Sequence, residues 1–195
     1  LRAAEFDQAL GETNNPDWKT VAIDEATGEV IVPNGSIGFR WGEDGKWNLE
    51  EKDGAGRDTT LRLGLKGAHD EVAAVRFPYF GGAATNGFAM TDHPDVLVRN
   101  VPVKRMMLPE GETLVACVYD LFLANYGVDQ GFGGAHMPAT YDDIEPYSPA
   151  WAEVITSVPR DQIIAVARGF ASNAEKTDGK SMIIIGAAMN HWFHM

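Results

Sequence analysis

The sequence predicts a mixed α/β fold, with a β-rich hairpin region over residues 1–117 followed by part of an open α/β region over residues 118–195. Three observations lead to this prediction. Short apolar runs separated by glycine-containing turns are typical of hairpins and fill the first region. Apolar residues at helical spacing mark the second region. The second region also contains a continuous apolar run, SMIIIG at residues 181–186, of the kind expected for a central parallel strand.

The first region begins with a predicted hairpin. Two short strands, residues 20–25 and 29–32, flank a turn that contains Gly28. A second, bent hairpin is indicated over residues 36–48, where aromatic residues lie at near-alternating positions. Residues 59–65 alternate apolar and polar side chains, which predicts a half-buried strand.

The rest of this region predicts one loop and one further set of strands. Residues 77–94 are rich in glycine and proline and are predicted to form a loop. The strands are predicted over residues 95–100, 101–108 and 112–118, with a turn at residues 109–111.

The second region should be mainly helical. A helix is expected from Val118 to Asn125, with Gly127 as its stop, and a short one over residues 149–155. A long loop, residues 131–146, separates them. Ser157 is predicted to cap a third helix that ends at residues 176–179. The buried stripe of this third helix is predicted to contain Ile163, Ile164, Val166, Ala167 and Phe170.

Composition limits the classes of function. The chain has a formal net charge of −12, and its 16 basic residues form no patch, so nucleic-acid binding is not expected. No run approaches the roughly 18 apolar residues of a membrane-spanning helix, so direct membrane insertion is not expected either. Cys117 is the single cysteine and is predicted to be a buried core side chain. An internal disulfide framework, or an iron–sulfur cluster held by this chain alone, is therefore excluded.

The loop after residues 181–186 is the best candidate site, because ligands of open α/β sheets bind beyond the carboxyl ends of strands. His191 and His194 could form a metal pair if helical, but no third ligand follows at a recognisable spacing, and packing or hydrogen bonding to a cofactor is favoured. Asn190 and His191 could bind a polar ligand or form a capped strand–loop junction. Both interpretations stay open from the residues alone. No catalytic residue and no metal ligand is assigned.

Several motifs, in this order and at these distances, resemble the alpha chains of membrane-bound respiratory nitrate reductases, which belong to the molybdopterin oxidoreductases. The motifs are NNPDWKTVAIDEATG (14–28), PNGSIGFRWG (33–42), KWNLE (46–50), FPYFGG (77–82), YD (119–120), LANYG (123–127), PAW (149–151), SMIIIG (181–186) and NHW (190–192). The resemblance spans nearly the whole chain.

The resemblance implies an enzyme that reduces nitrate to nitrite with quinol-derived electrons. It implies a molybdenum bis(molybdopterin guanine dinucleotide) cofactor and a 4Fe-4S cluster in this subunit, an iron–sulfur beta subunit and a membrane haem gamma subunit. Attachment to the cytoplasmic face of the membrane through those partners is expected. The metal-binding residues of the family lie upstream of the matched region, so none is assigned here.

By position, the resemblance places Gly186, Met189, Asn190, His191 and Trp192 in the loop that approaches a pterin dinucleotide. Residues 118–195 would then be part of the molybdopterin-binding α/β region, and residues 1–117 a β-rich insertion. We expect truncation at both ends and no activity from this piece by itself. Two alternatives remain: another molybdopterin oxidoreductase, such as a selenate or (per)chlorate reductase, or a non-catalytic α/β binding module.

Overall fold

The computed structural model describes residues 1–6, 16–17, 19–35, 51–79 and 96–186, and these form two antiparallel sheets and three helices. The described part is therefore a mixed fold, as predicted. The second hairpin predicted over residues 36–48 lies outside it. A short 3-10 helix, Ala3–Glu5, precedes the first sheet.

The first sheet is the predicted hairpin. Strands β1 (Ala22–Ile23) and β2 (Val30–Ile31) pair antiparallel, with Ala22 opposite Ile31. Asp24 stabilises the turn between them, because its carboxylate accepts hydrogen bonds from the backbone N–H and the hydroxyl of Thr27 at 2.9 and 2.8 Å.

The second sheet has the order β3–β4–β5 and is antiparallel throughout. Its strands are β3 (Glu71–Pro78), β4 (Val96–Leu108) and β5 (Gly111–Val115). The strands predicted at residues 95–100 and 101–108 are one strand, β4. Residues 96–103 of β4 pair with β3 and residues 104–108 pair with β5. Pro102 fits within this long strand because only one neighbouring strand pairs with it there.

Three sequence predictions about strands are wrong. Residues 71–78 were not predicted as a strand, and the predicted loop at residue 77 begins inside β3. Residues 59–65 form one isolated bridge, Leu61 to Asp24, instead of a strand. Residues 181–186 are not a strand either, since no described strand lies beside them to share backbone hydrogen bonds.

The helices are α1 (Val118–Asn125), α2 (Pro149–Thr156) and α3 (Arg160–Lys176), close to the predicted positions. Ser157 does not cap α3. Its N–H donates to Glu153 at the end of α2, where Ser157 adopts a left-handed conformation with φ 60°. The predicted buried stripe of α3 is also wrong: none of its residues is buried, and Val166 is 74% exposed.

The core lies between the second sheet and α1. Phe77, Val101, Val103 and Ala124 are buried together, and Leu121 packs against them. This core joins residues on both sides of the boundary predicted at residues 117 and 118. The division into two domains stays a prediction.

Candidate functional site

The structure places only one of the five predicted site residues. Gly186 is exposed, and a Cβ atom built on it would meet no atom within 4 Å. Met189, Asn190, His191 and Trp192 lie outside the described residues, as does His194. The pterin-binding loop therefore stays a prediction, with an open backbone at its first position.

Arg99, on β4, is the most constrained charged residue of the described part. It is fully buried, and its guanidinium donates to four backbone carbonyls. Nη1 reaches Ala124 and Asn125, both at 2.8 Å, and these are the last residues of α1. Nη2 donates to His136 at 2.7 Å and Nε to Ala135 at 3.1 Å. Arg99 thereby adds a charged donor to the carbonyls at the end of α1, where Ala124 also accepts from the Gly127 N–H, and opposes the negative end of the helix dipole.

Burial lowers the pKa of Arg99, while Tyr147 and Glu145 act in the opposite direction. Its guanidinium nevertheless stays protonated, because an arginine pKa lies far above neutral pH. A permanent buried cation held by carbonyls is suited to fixing a backbone shape. It is not suited to transferring protons.

Two glycines allow the loop after α1 to approach Arg99. A Cβ at Gly134 would come within 2.7 Å of the Arg99 Cα, and one at Gly127 would lie 3.1 Å from Pro138. Both glycines have positive φ, 148° and 74°. Across this contact the Asn100 N–H donates to Gly133, and the Ala135 N–H donates to Val98. The glycine-rich stretch is thus a packed connection to β4.

Asp120 holds the other end of α1. Its carboxylate is fully buried and accepts hydrogen bonds from the Leu65 N–H at 2.7 Å and from the Gln130 Nε2 at 3.0 Å. Residue 64 must be glycine, because a Cβ there would lie 2.6 Å from the Asp120 Oδ1. A carboxylate in the first turn also suits the positive end of the helix dipole. Buried charges therefore fix both ends of α1.

The lone thiol, Cys117, is not activated. Burial raises its pKa first, and the neighbouring Asp120 carboxylate adds to the effect. A raised pKa reduces the thiolate fraction that nucleophilic or metal-binding chemistry requires. Cys117 was predicted to be a buried core side chain, and the structure shows it only partly buried.

The acidic residues at 142–145 stabilise loops. The pKa of Asp143 is lowered by hydrogen bonds to its carboxylate. The largest effect comes from the Thr140 N–H, followed by the Thr140 side chain and the Ala139 N–H. Asp142 pairs with Arg160 at 2.9 Å, and Glu145 contacts the His136 Nδ1 at 3.0 Å. Within the described ranges, no group of three potential metal ligands is present. No helix there is long and apolar enough to cross a membrane.

An aromatic band joins the sheet to two helices. The Tyr147 ring contacts those of Tyr79, Tyr126 and Trp151 at centroid distances of 5.8, 5.2 and 5.4 Å. The Trp151 Nε1 donates to the Tyr79 hydroxyl at 3.1 Å. Burial raises the pKa of Tyr147, which keeps its hydroxyl neutral.

Sequence reasoning missed both anchors of α1. The available signal was a charged residue within an apolar strand, Arg99 between Val98 and Val101, and an acidic residue in the first turn of a predicted helix. Their partners could not be inferred, because four of the groups that they bind are backbone carbonyls far away in the sequence.

The class of protein to which the chain is similar is the nitrate reductase alpha chains, and the resemblance seen in the motifs is confirmed. Respiratory nitrate reductase 1 alpha chain of Escherichia coli is 56% identical over 197 residues, which cover all of this chain and 16% of that relative. The nitrate reductase alpha chain of Bacillus subtilis is 42% identical over 184 residues, which cover 94% of this chain and 14% of that relative. The alpha subunit of Mycobacterium tuberculosis H37Rv is 38% identical over 186 residues. No family model matches the chain.

This chain thus spans 16% of the length of the Escherichia coli relative and 14% of the length of the Bacillus subtilis relative. The similarity to the Escherichia coli relative extends across both predicted regions.

Proposed function

We propose that this chain is a segment of the catalytic alpha subunit of a respiratory nitrate reductase, which reduces nitrate to nitrite with quinol-derived electrons. The observation that carries the proposal is 56% identity over the whole chain to an Escherichia coli respiratory nitrate reductase alpha chain. Relatives in two further organisms, named as a nitrate reductase alpha chain and a nitrate reductase alpha subunit, are 42% and 38% identical. These names favour nitrate over selenate or (per)chlorate as the substrate.

The cofactor of the whole subunit would be a molybdenum bis(molybdopterin guanine dinucleotide), which supplies oxygen-atom transfer, together with a 4Fe-4S cluster. Residues 118–195 would form part of the pterin-binding α/β region. The open backbone at Gly186 fits the close approach of a dinucleotide, because nothing within 4 Å would obstruct it. Met189, Asn190, His191 and Trp192 would continue this wall of the site, offering amide and imidazole groups to the guanine or pyrophosphate.

The remaining described residues would hold this wall in place. Arg99 and Asp120 fix α1 against the sheet, and the aromatic band attaches α2. The partners of the whole subunit would be an iron–sulfur beta subunit and a membrane haem gamma subunit. Through them the subunit would attach to the cytoplasmic face of the membrane.

A segment exchange tests the proposal. The matching segment of the Escherichia coli alpha chain is replaced by these 195 residues, and the chimeric subunit is produced with its native partners in a host that lacks nitrate reductases. We expect nitrite formation from nitrate and reduced viologen within about tenfold of the unmodified enzyme, a difference of ~1.4 kcal/mol.

Two controls make the exchange decisive. A chimera carrying an unrelated 195-residue insert should form no nitrite. Molybdenum and guanine nucleotide contents are measured alongside activity. A chimera that folds, contains the cofactor and reduces selenate or chlorate but not nitrate would contradict the proposed substrate. One that folds without binding the cofactor would contradict the proposed place in the subunit.

A further inference from the structure

The aromatic band contains a continuous row of oxidisable side chains. The Tyr147 ring lies at its centre, 5.2 Å from the Tyr126 ring and 5.4 Å from the Trp151 ring, as measured between centroids. Phe122 contacts Tyr126 at 4.9 Å, but a phenylalanine ring gives up an electron far less readily than a phenol or an indole. The row of oxidisable rings therefore runs from Trp151 to Tyr126 across Tyr147.

The two ends of this row differ in exposure. Trp151 is partly buried, and its Nε1–H donates to the hydroxyl of Tyr79, which is 4% exposed. Tyr126, at the end of α1, is 45% exposed. An electron vacancy formed at the inner end can thus reach a side chain that contacts water.

Tyr147 is held between the two ends at a conformational cost. Its φ is 72°, a left-handed conformation that is unfavourable for a residue with a bulky side chain. Burial raises the pKa of Tyr147 and so disfavours loss of its phenolic proton. Tyr147 is therefore suited to pass an electron between its neighbours without ending as the radical itself.

We propose that the aromatic band transfers oxidising equivalents from Trp151, across Tyr147, to Tyr126, and so protects the interior of this region from one-electron oxidation. A one-electron oxidant, such as an inorganic radical, takes an electron from Trp151 and leaves the indole radical cation. An electron from Tyr126 restores Trp151, and the phenolic proton of Tyr126 passes to water. A soluble reductant such as ascorbate then returns an electron and a proton to the tyrosyl radical.

The direction of transfer follows from the chemistry of the two ends. A phenol that loses its proton to water on oxidation is easier to oxidise than an indole that keeps its proton, so the vacancy moves toward Tyr126. The Tyr79 hydroxyl oxygen accepts the Trp151 N–H at 3.1 Å and helps to keep that proton in place. This inference goes beyond the proposed function and is independent of it, because the transfer requires neither nitrate nor the molybdenum cofactor.

Radical trapping in the chimeric subunit, with its partners, tests the inference. Azide radicals generated by radiolysis oxidise the protein in the presence of a nitroso spin trap, and peptide mass spectrometry quantifies the adduct on each tyrosine. Tyr119 is the internal control, because it lies on α1 and is 42% exposed, close to the 45% of Tyr126. We expect more adduct on Tyr126 than on Tyr119, and Trp151→Phe should abolish this excess. Equal adduct on both tyrosines, or an excess that survives Trp151→Phe, would overturn the inference.

A second pair of variants removes the exposed end of the row and leaves Trp151 intact. Tyr126→Phe keeps the ring but has no phenolic proton to release, so we expect stable oxidation products, hydroxytryptophan and kynurenine, to increase at Trp151. Tyr119→Phe is the matched control and should leave the oxidation of Trp151 unchanged. Equal Trp151 oxidation in the two variants would show that the aromatic band only packs the helices together, contrary to the inference.

Discussion

At the scale of single residues, one buried arginine organises the described part of this chain. Arg99 joins β4, the end of α1 and the loop at residues 135–136 through hydrogen bonds to backbone carbonyls. Removing the guanidinium would take a charged donor from all four carbonyls, although the Ala124 carbonyl would still accept from the Gly127 N–H at 3.1 Å. Hydrogen bonds to charged groups contribute more than neutral ones, so the stability of this region depends strongly on one side chain.

We predict that Arg99→Met lowers the free energy of unfolding by about 2–3 kcal/mol, because one buried and three partly buried hydrogen bonds lose their charged donor, and bonds to charged groups contribute about 1.5–3 kcal/mol. Urea unfolding of the chimeric subunit measures the effect, with the protection of the α1 amides from hydrogen exchange as the signal. Arg105→Met is the matched control. Arg105 is 52% exposed and pairs with Glu71 and Glu112 at the surface, so its loss should cost less than about 1 kcal/mol. Similar losses for both variants would show that the carbonyl contacts contribute little.

A second residue-scale prediction concerns acid sensitivity. Burial favours the neutral form of Asp53, but hydrogen bonds from the N–H and side chain of Arg57 and from the Ala55 N–H outweigh it and lower its pKa. A folded pKa below the unfolded one stabilises the fold above the ordinary value of 3.8, and this contribution is lost as the pH falls through the folded pKa.

Asp53→Asn should therefore weaken the dependence of stability on pH below about 4. The measurement compares the urea midpoint of unfolding of the chimeric subunit with and without the substitution, at pH 7 and at pH 3. Asp58→Asn serves as the control, because its side chain is 92% exposed. A wild-type midpoint that rises on acidification, or a variant that keeps the full wild-type slope, would contradict the assigned role of Asp53.

At the scale of elements, helix ends receive the most specific side chains. Asp120 and Arg99 fix the two ends of α1, and Ser148 caps α2. The Ser148 hydroxyl accepts from the Trp151 N–H at 3.0 Å and donates to the Asp143 carbonyl at 2.6 Å. α2 is followed by Pro159, which precedes α3, and the two helices pack together.

Ser148→Ala should lower stability by about 1–2 kcal/mol, because the variant loses the N-cap and takes a donor from the partly buried Asp143 carbonyl. The loss should appear as faster hydrogen exchange in α2 than in β3 or β4. Thr156→Ala, at the exposed end of the same helix, is expected to change stability by less than ~0.5 kcal/mol. Uniformly faster exchange across the chain would argue against a local cap.

At the scale of the whole molecule, apolar surface decides how the chain behaves by itself. Apolar side chains are exposed on α3, on residues 182–185 and, on α1, at Val118 and Phe122, which are 82% and 57% exposed. Exposed apolar surface of this extent marks interaction sites or aggregation liabilities. The 195 residues are therefore expected to need further polypeptide for stable folding.

We predict that the purified 195-residue chain binds a hydrophobic dye, shows a broad thermal transition and forms no nitrite from nitrate with reduced viologen. The reasons are its uncovered apolar surface and the absence of assigned metal ligands among its residues. A heat-killed sample is the control for nitrite. A sharp cooperative transition, or nitrite above the control, would each contradict this expectation.

The sequence by itself determined the positions of the helices and the first hairpin, because helical spacing and turn residues are local. It also determined the resemblance to nitrate reductase alpha chains, since motif order is a property of the chain alone. It identified Gly186 as the start of a candidate loop, but it could not place the partners of that loop.

Only the tertiary structure revealed that Arg99 and Asp120 anchor α1, because their partners are backbone groups remote in sequence. It also corrected the predicted burial of two apolar segments. Residues 181–186 and the stripe of α3 have the pattern of buried elements, yet none of them is buried in the described part of the chain. A pattern specifies that a segment is suited to burial, whereas burial itself requires a neighbour, and no neighbour is encoded in the pattern.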